Sequence, residues 1–249
     1  MDHTIRFEQV SFHYPDSQNV LSDLNFVISG RTFLGITGIN GSGKSTLTYL
    51  MNGLIPHTIP GALMGRVLVD GISTKTKDVA FFSHQVGMVF QNPDFSLFNL
   101  TVSEEIGFGL KNLTGYVHQK QIKKALKQVG LSGFELRDPQ TLSFGEKQKV
   151  CLASVLALDV TYIVLDEPTA MLDYKSSVEL YRLLKKLNDK EGRTIIIVEH
   201  DTDFLWEYAK DLVIINEGKI KALGKAKNVL NNHHLLTSLG IKKPRGMQT

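Results

Sequence analysis

Gly38-Ile39-Asn40-Gly41-Ser42-Gly43-Lys44-Ser45 is the stretch on which the fold turns. It fits the pattern G-x-x-x-x-G-K-[ST]. It lies between an apolar run, Arg31 to Gly38, and a helical pattern, Ser45 to Gly53. Glycines let successive backbone N–H groups turn inward around phosphate oxygens, and a helix N-terminus adds the positive end of its dipole. Asn40, Gly41, Ser42, Gly43, Lys44, Ser45 and Thr46 are therefore the expected cradle for a nucleoside triphosphate. Lys44 is expected to reach the β- and γ-phosphates, and the Ser45 hydroxyl to ligate Mg²⁺.

Upstream of the cradle, Ile5 to Phe12 alternates as a strand does. Val20 to Ser29 follows as a second strand after a turn at Asp16 to Asn19. Gly65 to Val69 and Val86 to Phe90 read as further strands. Downstream, Tyr162 to Leu165 and Thr194 to Val198 are continuous apolar runs, the mark of parallel strands buried on both faces. The amphipathic stretch Lys175 to Leu187 supplies the crossover helix between them. Leu212 to Asn216 and Lys219 to Ala222 make a hairpin turned at Glu217-Gly218. Val102 to Leu113, Val117 to Val129 and Gly145 to Ala157 have helical spacing, so residues 92–160 read as a helical insert. The predicted fold is α/β: a P-loop NTPase core of RecA-like type with an antiparallel β edge and an inserted helical subdomain. Residues 1–231 are expected to form the nucleotide-binding domain, and 232–249 a short C-terminal helix and tail.

Tyr162-Ile163-Val164-Leu165-Asp166-Glu167 ends an apolar strand in two carboxylates. In an open α/β sheet that end of a strand faces the ligand crevice. Asp166 is expected to hold the Mg²⁺ through water, and Glu167 to orient or deprotonate an attacking water. Glu199-His200-Asp201 follows the second buried run. His200 can reach a γ-phosphate from the same sheet edge; by spacing alone it reads equally as a helix-capping or surface histidine.

Composition narrows the setting. An apolar fraction of 42% with 21% charged residues is that of a globular chain with a substantial core. The net charge of +3 comes without a basic stripe, which argues against nucleic acid as a partner. Lys242, Lys243 and Arg245 form a basic tail that reads as a solvated end. The single cysteine, Cys151, rules out an intramolecular disulfide, suits a reducing cytosol, and reads as a core thiol. His233-His234, with no acid or thiol cluster around it, reads as a solvated helix start. No stretch of about 18 apolar residues occurs, so a membrane role would have to come through a partner.

These motifs, taken in order, resemble the nucleotide-binding subunits of ABC transporters over nearly the whole chain. Tyr14, the Gly38 to Ser45 loop, Gln91, Leu142-Ser143-Phe144-Gly145-Glu146, Asp166-Glu167, Leu172-Asp173 and His200 carry the resemblance. It implies that Tyr14 stacks on adenine, and that Gln91 contacts Mg²⁺ and the attacking water while its loop meets a membrane partner. It further implies that Ser143 and Gly145 donate to the γ-phosphate bound on an opposing subunit. Asp173 would lie at the dimer interface, and His200 would act as a switch. Ser143 followed by Glu146 also reads as a helix capping box, and the two readings are compatible. Gln91-Asn92-Pro93-Asp94, Leu97-Phe98, Thr101-Val102, Glu104-Glu105 and Phe108-Gly109 are similar to ATPases of energy-coupling-factor transporters, as is Ser11-Phe12-His13-Tyr14-Pro15. That likeness implies ATP and Mg²⁺ as cofactors and a second ABC ATPase subunit, identical or similar, as partner. It also implies an integral membrane coupling protein and a substrate-binding membrane component. The chain would then sit on the cytoplasmic face of the membrane and drive uptake of a vitamin or a metal ion. A soluble ABC ATPase outside transport, and a regulatory subunit with weak hydrolysis, are the competing readings.

Two residues depart from the family pattern. Where the resemblance implies Leu-Ser-Gly-Gly-Gln, this chain has Phe144 and Glu146. A side chain at Phe144 would oppose any need for positive φ, and Glu146 would bring negative charge near phosphate, offset by Lys147 and Lys149. A weakened composite site is therefore expected. The short stretch after Leu239-Gly240-Ile241 leaves dimer contacts to the nucleotide and the remaining surfaces, or makes the chain half of a longer fused polypeptide.

Overall fold

The computed structural model describes residues 3–247. The described strands are β1 (Thr4–His13), β2 (Leu21–Ser29), β3 (Phe33–Thr37), β4 (Ala62–Val69), β5 (Ile72–Ser73), β6 (Val86–Val89), β7 (Tyr162–Asp166), β8 (Thr194–Val198), β9 (Asp211–Asn216) and β10 (Lys219–Lys225). They form two sheets. The larger has the order β10-β9-β3-β8-β7-β6 and is parallel except for β10, which pairs antiparallel with β9. The smaller, β2-β1-β4-β5, is antiparallel throughout. The predicted antiparallel edge thus exists at β10, while the N-terminal strands build a sheet of their own. Alternation reveals which side chains a strand buries but not which strand it pairs with.

The helix Lys44–Met51 is packed between the sheets. Its Leu47, Leu50 and Met51 join Ile5, Phe7 and Val67 of the small sheet and Leu34, Ile36, Val164 and Ile196 of the large one. The opposite face of the large sheet carries Ile163, Leu165, Ile195 and Ile197, which pack with the helical side of the molecule. Both faces of β7 and β8 are therefore covered, which is why those strands are apolar without interruption. Truncating Leu165, which is wholly buried, to Ala would cost about 2–5 kcal/mol.

Between β6 and β7 the helices Val102–Thr114, Gln119–Gln128 and Phe144–Ala157 pack on one another through Val102, Ile106, Leu110, Ile122, Leu126 and Val150. Thr101 and Glu104 close a full capping box at the first of these helices. The second begins at Gln119, two residues later than its spacing predicts. Two features escape the sequence reading: β4 starts at Ala62, and a short helix, Val79–Ser83, follows β5, with the Asp78 side chain capping it and Phe82 sealed in the core. Near the C-terminus, His233–Ser238 forms the expected helix, capped by Asn232, with His233 and His234 exposed. No helix among the described residues is long and apolar enough to cross a membrane.

Candidate functional site

Strand β3 delivers the glycine-rich loop to the C-terminal edge of the large sheet. At Gly38 an added Cβ would lie 2.0 Å from the Ile215 carbonyl oxygen, so no side chain fits there. Gly43 caps the following helix at φ 100°, a conformation that favours glycine. Ser42 is buried and its Oγ has no partner among the described residues. Lys44 is 5% exposed and folds back over the loop, donating to the carbonyl oxygens of Gly38 (3.1 Å) and Ile39 (3.0 Å). Burial pushes its amine down from the ordinary lysine value, and Glu167 and Asp166 pull it partly back. Asn40 and Gly41 are exposed at the mouth. Thr46 shares a hydrogen bond of 2.9 Å with the Tyr14 hydroxyl, and the Tyr14 ring packs edge-on against Phe12. The cleft, of about 500 Å³, is lined by Tyr14, Val20, Asn40, Gly41, Gly43, Lys44, Ser45, Thr46, Gln91 and Glu167.

Strands β6, β7 and β8 end beside this loop, and each brings a polar group. Asp166 closes β7. It is 6% exposed, one of its carboxylate oxygens has no partner among the described residues, and burial pushes its carboxyl above the ordinary value, with Ser45 and Lys44 opposing. A buried carboxylate oxygen without a donor, next to the Ser45 hydroxyl, suits a hard cation. Among the described residues no three His, Cys, Asp or Glu side chains cluster as a metal site. A cation here would therefore take most of its ligands from phosphate and water.

Glu167 follows at φ 48°, a strained conformation for a residue with a side chain. Its carboxylate lies between two neighbours: His200 Nε2 is 2.8 Å from Oε1, and Gln91 Nε2 donates to Oε2 at 3.3 Å. The structure therefore brings together, at one sheet edge, the cradle, Asp166, Glu167, Gln91 and His200. His200 is exposed, as one alternative reading held, yet its ring is engaged with Glu167.

Ser143 and Gly145 do not line this cleft. They open the helix Phe144–Ala157, where Ser143 is an exposed N-cap. The capping box is complete: Glu146 accepts from the Ser143 N–H and Oγ, both at 2.8 Å. These bonds hold the Glu146 carboxyl below its ordinary value. Gly145 faces Ser176 and Leu172, and Asp173 caps the helix Tyr174–Glu191 by accepting from Ser176.

Two expectations about this element are corrected. Phe144 is the first residue of the helix and does not have positive φ, so its side chain meets no backbone objection there. Of the two lysines expected to offset Glu146, Lys147 is committed to Asp94 (2.6 Å); Lys149 pairs with Glu179 (2.9 Å) yet its charge still acts on Glu146, beside Arg137 at 3.8 Å. Cys151 on the same helix is partly buried and packs against the core rather than within it, and burial pushes its thiol up to about 12. Sequence reasoning missed Glu199 as an organiser of the site. It is buried, and its carboxylate accepts from the backbone N–H groups of His200 and Asp201. A carboxylate directly before a site histidine was the available signal.

Comparisons with known proteins agree with this geometry. The family model of ABC transporters matches residues 21–170. The chain is 45% identical over 243 residues to a Pyrococcus horikoshii protein provisionally named an ABC transporter ATP-binding protein, covering 96% of this chain and 86% of the relative. It is 37% identical over 246 residues to the energy-coupling factor transporter ATP-binding protein EcfA of Carboxydothermus hydrogenoformans, covering 98% and 88%. Among solved structures, cbiO1 of Clostridium perfringens, part of the ABC transporter complex cbiONQ, superposes with a TM-score of 0.83 at 30% identity over 98% of this chain and 97% of that one. The ATP-binding cassette MJ0796, solved as a dimer bound to ADP and Pi, superposes with a TM-score of 0.77 at 28% identity over 89% and 98%. With the phosphate loop, the paired carboxylates and the helical segment in the arrangement described, this chain belongs to the ABC transporter family as an ATP-binding cassette of energy-coupling-factor-like type, and it is an ATPase.

Proposed function

We propose that this chain is the ATP-hydrolysing subunit of an energy-coupling-factor importer, working as half of a dimer on the cytoplasmic face of a membrane. The observation that carries this reading is the Glu167 carboxylate, held between His200 and Gln91 at the mouth of the cleft, while Ser143 and Gly145 stand outside it. One chain supplies the cradle and the base; a second chain's Ser143 and Gly145 complete the site over the γ-phosphate.

In this reading Lys44 and the loop N–H groups hold the β- and γ-phosphates, and Tyr14 packs on the adenine. Ser45, Asp166 and Gln91 would hold Mg²⁺, which when bound offsets phosphate charge. Glu167 orients water for in-line attack and takes its proton, and His200 fixes the carboxylate and reaches the γ-phosphate. Breaking the bond to the leaving ADP oxygen and releasing phosphate reopens the dimer.

Membrane partners dock beside Gln91. Phe95 is 88% and Leu100 81% exposed, and Phe98 packs edge-on against the exposed Phe108. Phe98 and Phe108 line an apolar groove together with Met88, Phe90, Leu97 and Cys151. Apolar side chains this exposed support a partner with an apolar docking segment. The family likeness supports a vitamin or a metal ion as cargo.

The test joins two measurements. Single-turnover hydrolysis by the wild type is expected to exceed that of Glu167→Gln by at least about 10²-fold. Purification from membranes under mild detergent is expected to bring down an integral membrane protein. Equal rates in wild type and variant would remove Glu167 from its role and favour a regulatory subunit; a soluble assembly without membrane protein would favour an ABC ATPase outside transport.

A further inference from the structure

Glu199 is a buried carboxylate, 5% exposed, that none of the expected roles uses. Four donors converge on it, and none of them is a cation. Oε1 accepts the consecutive backbone N–H groups of His200 (2.7 Å) and Asp201 (3.0 Å). Oε2 accepts the Thr169 hydroxyl (2.5 Å) and the Tyr181 hydroxyl (3.1 Å). Its own N–H is fixed to the Ile36 carbonyl of β3, so the backbone under it is anchored to the central strand.

The two oxygens grip the two sides of one contact. Through Oε1, Glu199 fixes the chain on which His200 stands. Through Oε2, it fixes Thr169, two residues beyond Glu167, on the segment whose backbone passes through positive φ at Glu167. A strained residue keeps its conformation only where its surroundings over-determine it. Val198 supplies one such restraint by accepting from the Glu167 N–H, and Thr169 supplies another through Glu199. Tyr181, the fourth donor, is itself immobilised by stacking on Phe204 with ring centroids 4.5 Å apart. A buried anion needs this many donors, and hydrogen bonds to a charged acceptor hold geometry more firmly than neutral ones.

We propose that Glu199 is a positioning residue for hydrolysis: one buried carboxylate that holds His200 and Glu167 in register from beneath. The proposal rests on the roles given to Glu167 and His200 above. It assigns Glu199 no contact with nucleotide or water.

The test uses the purified full chain and compares hydrolysis with ATP affinity. Glu199→Ala is expected to lower kcat about 10-fold or more while the dissociation constant for ATP moves less than about 2-fold. Glu199→Gln keeps an oxygen for the two N–H groups, and the hydroxyls can turn to accept from its amide; it is expected to recover to within about 3-fold of wild type. Thr169→Val, which removes one donor at nearly constant volume, is expected to fall between them, and it carries the test should Glu199→Ala not fold. The deciding measurement is made on double variants. If Glu199 acts through His200 and Glu167, Glu199→Ala costs less in the His200→Ala and Glu167→Gln backgrounds than it does in the wild type. Multiplying effects, or equal losses in kcat and ATP affinity, overturn the proposal. His200→Ala at the wild-type rate sinks the site reading and this proposal with it. A slow His200→Ala beside a wild-type Glu199→Ala and a wild-type Thr169→Val sinks the Glu199 proposal alone.

Discussion

The cradle and the N-terminus of the helix Phe144–Ala157 are both anion sites by design, yet they are built in opposite ways. The cradle is buried and braced from within: Lys44 bonds to its own loop, Glu167 is fixed on two sides, and Asp166 keeps an oxygen without a donor. The helix N-terminus is exposed at Ser143, whose N–H and hydroxyl are already taken by Glu146. Under the proposed function one half is ready for its ligand, while Ser143 in the other must release an internal carboxylate before it can donate to phosphate. On that proposal ATP binding is the property of one chain and hydrolysis is under the control of a second. It also relocates the effect of Glu146, which acts as an internal competitor for Ser143 more than as a charge beside phosphate.

The largest expected effect lies in the braced half. Glu167→Gln should slow hydrolysis by about 10²–10³-fold, read by phosphate release, while nucleotide titration shows ATP still bound. Lys44→Ala comes next. Removing a charged donor from buried phosphate should weaken ATP binding by about 10–100-fold, the equivalent of about 1.5–3 kcal/mol. An unchanged dissociation constant would mean that Lys44 serves only the loop carbonyls.

In the exposed half the effects are smaller, and they concern stability. Ser143→Ala should cost about 1 kcal/mol, a drop in Tm of about 2–4 °C. The Glu146 carboxyl lies below its ordinary value because Ser143 hydrogen-bonds the charged form. Its stabilisation is therefore complete above the ordinary carboxylate range and is lost as pH falls through the lowered value. The gap in Tm between wild type and Glu146→Gln should be open at neutral pH and close in acid; a gap that widens in acid would contradict the capping role. The smallest effect belongs to Phe144→Gly. Glycine at the first turn of a helix should lower stability by about 0.5 kcal/mol and leave hydrolysis within about 2-fold. A large gain in rate would mean that the phenylalanine obstructs the composite site after all.

Much of the fold was legible in the chain. The apolar runs at Tyr162 to Leu165 and Thr194 to Val198 read as buried parallel strands because both their faces are covered, and period-3.6 spacing located the helices of the insert. The strand, glycine loop and helix of the cradle were legible as well, since few sequences turn a backbone on glycines and then start a helix. The pairing of the N-terminal strands into a separate sheet was not, because alternation carries no information on partners. Nor were the true neighbours of Lys147, Lys149 and Glu146, which lie on distant segments and are chosen by packing.

What the sequence alone determined is the set of groups that the structure gathers at one sheet edge: the loop from Gly38 to Ser45, Asp166, Glu167 and His200 by local pattern, and Gln91 by resemblance to the family. What only the tertiary structure decided is how they are held. Glu199 joins His200, Asp201, Thr169 and Tyr181, four groups from three stretches of chain, around one carboxylate. No local rule announces such a centre: a buried charge is tolerable only where folding has gathered enough donors to replace water, and that gathering is a property of the packed chain.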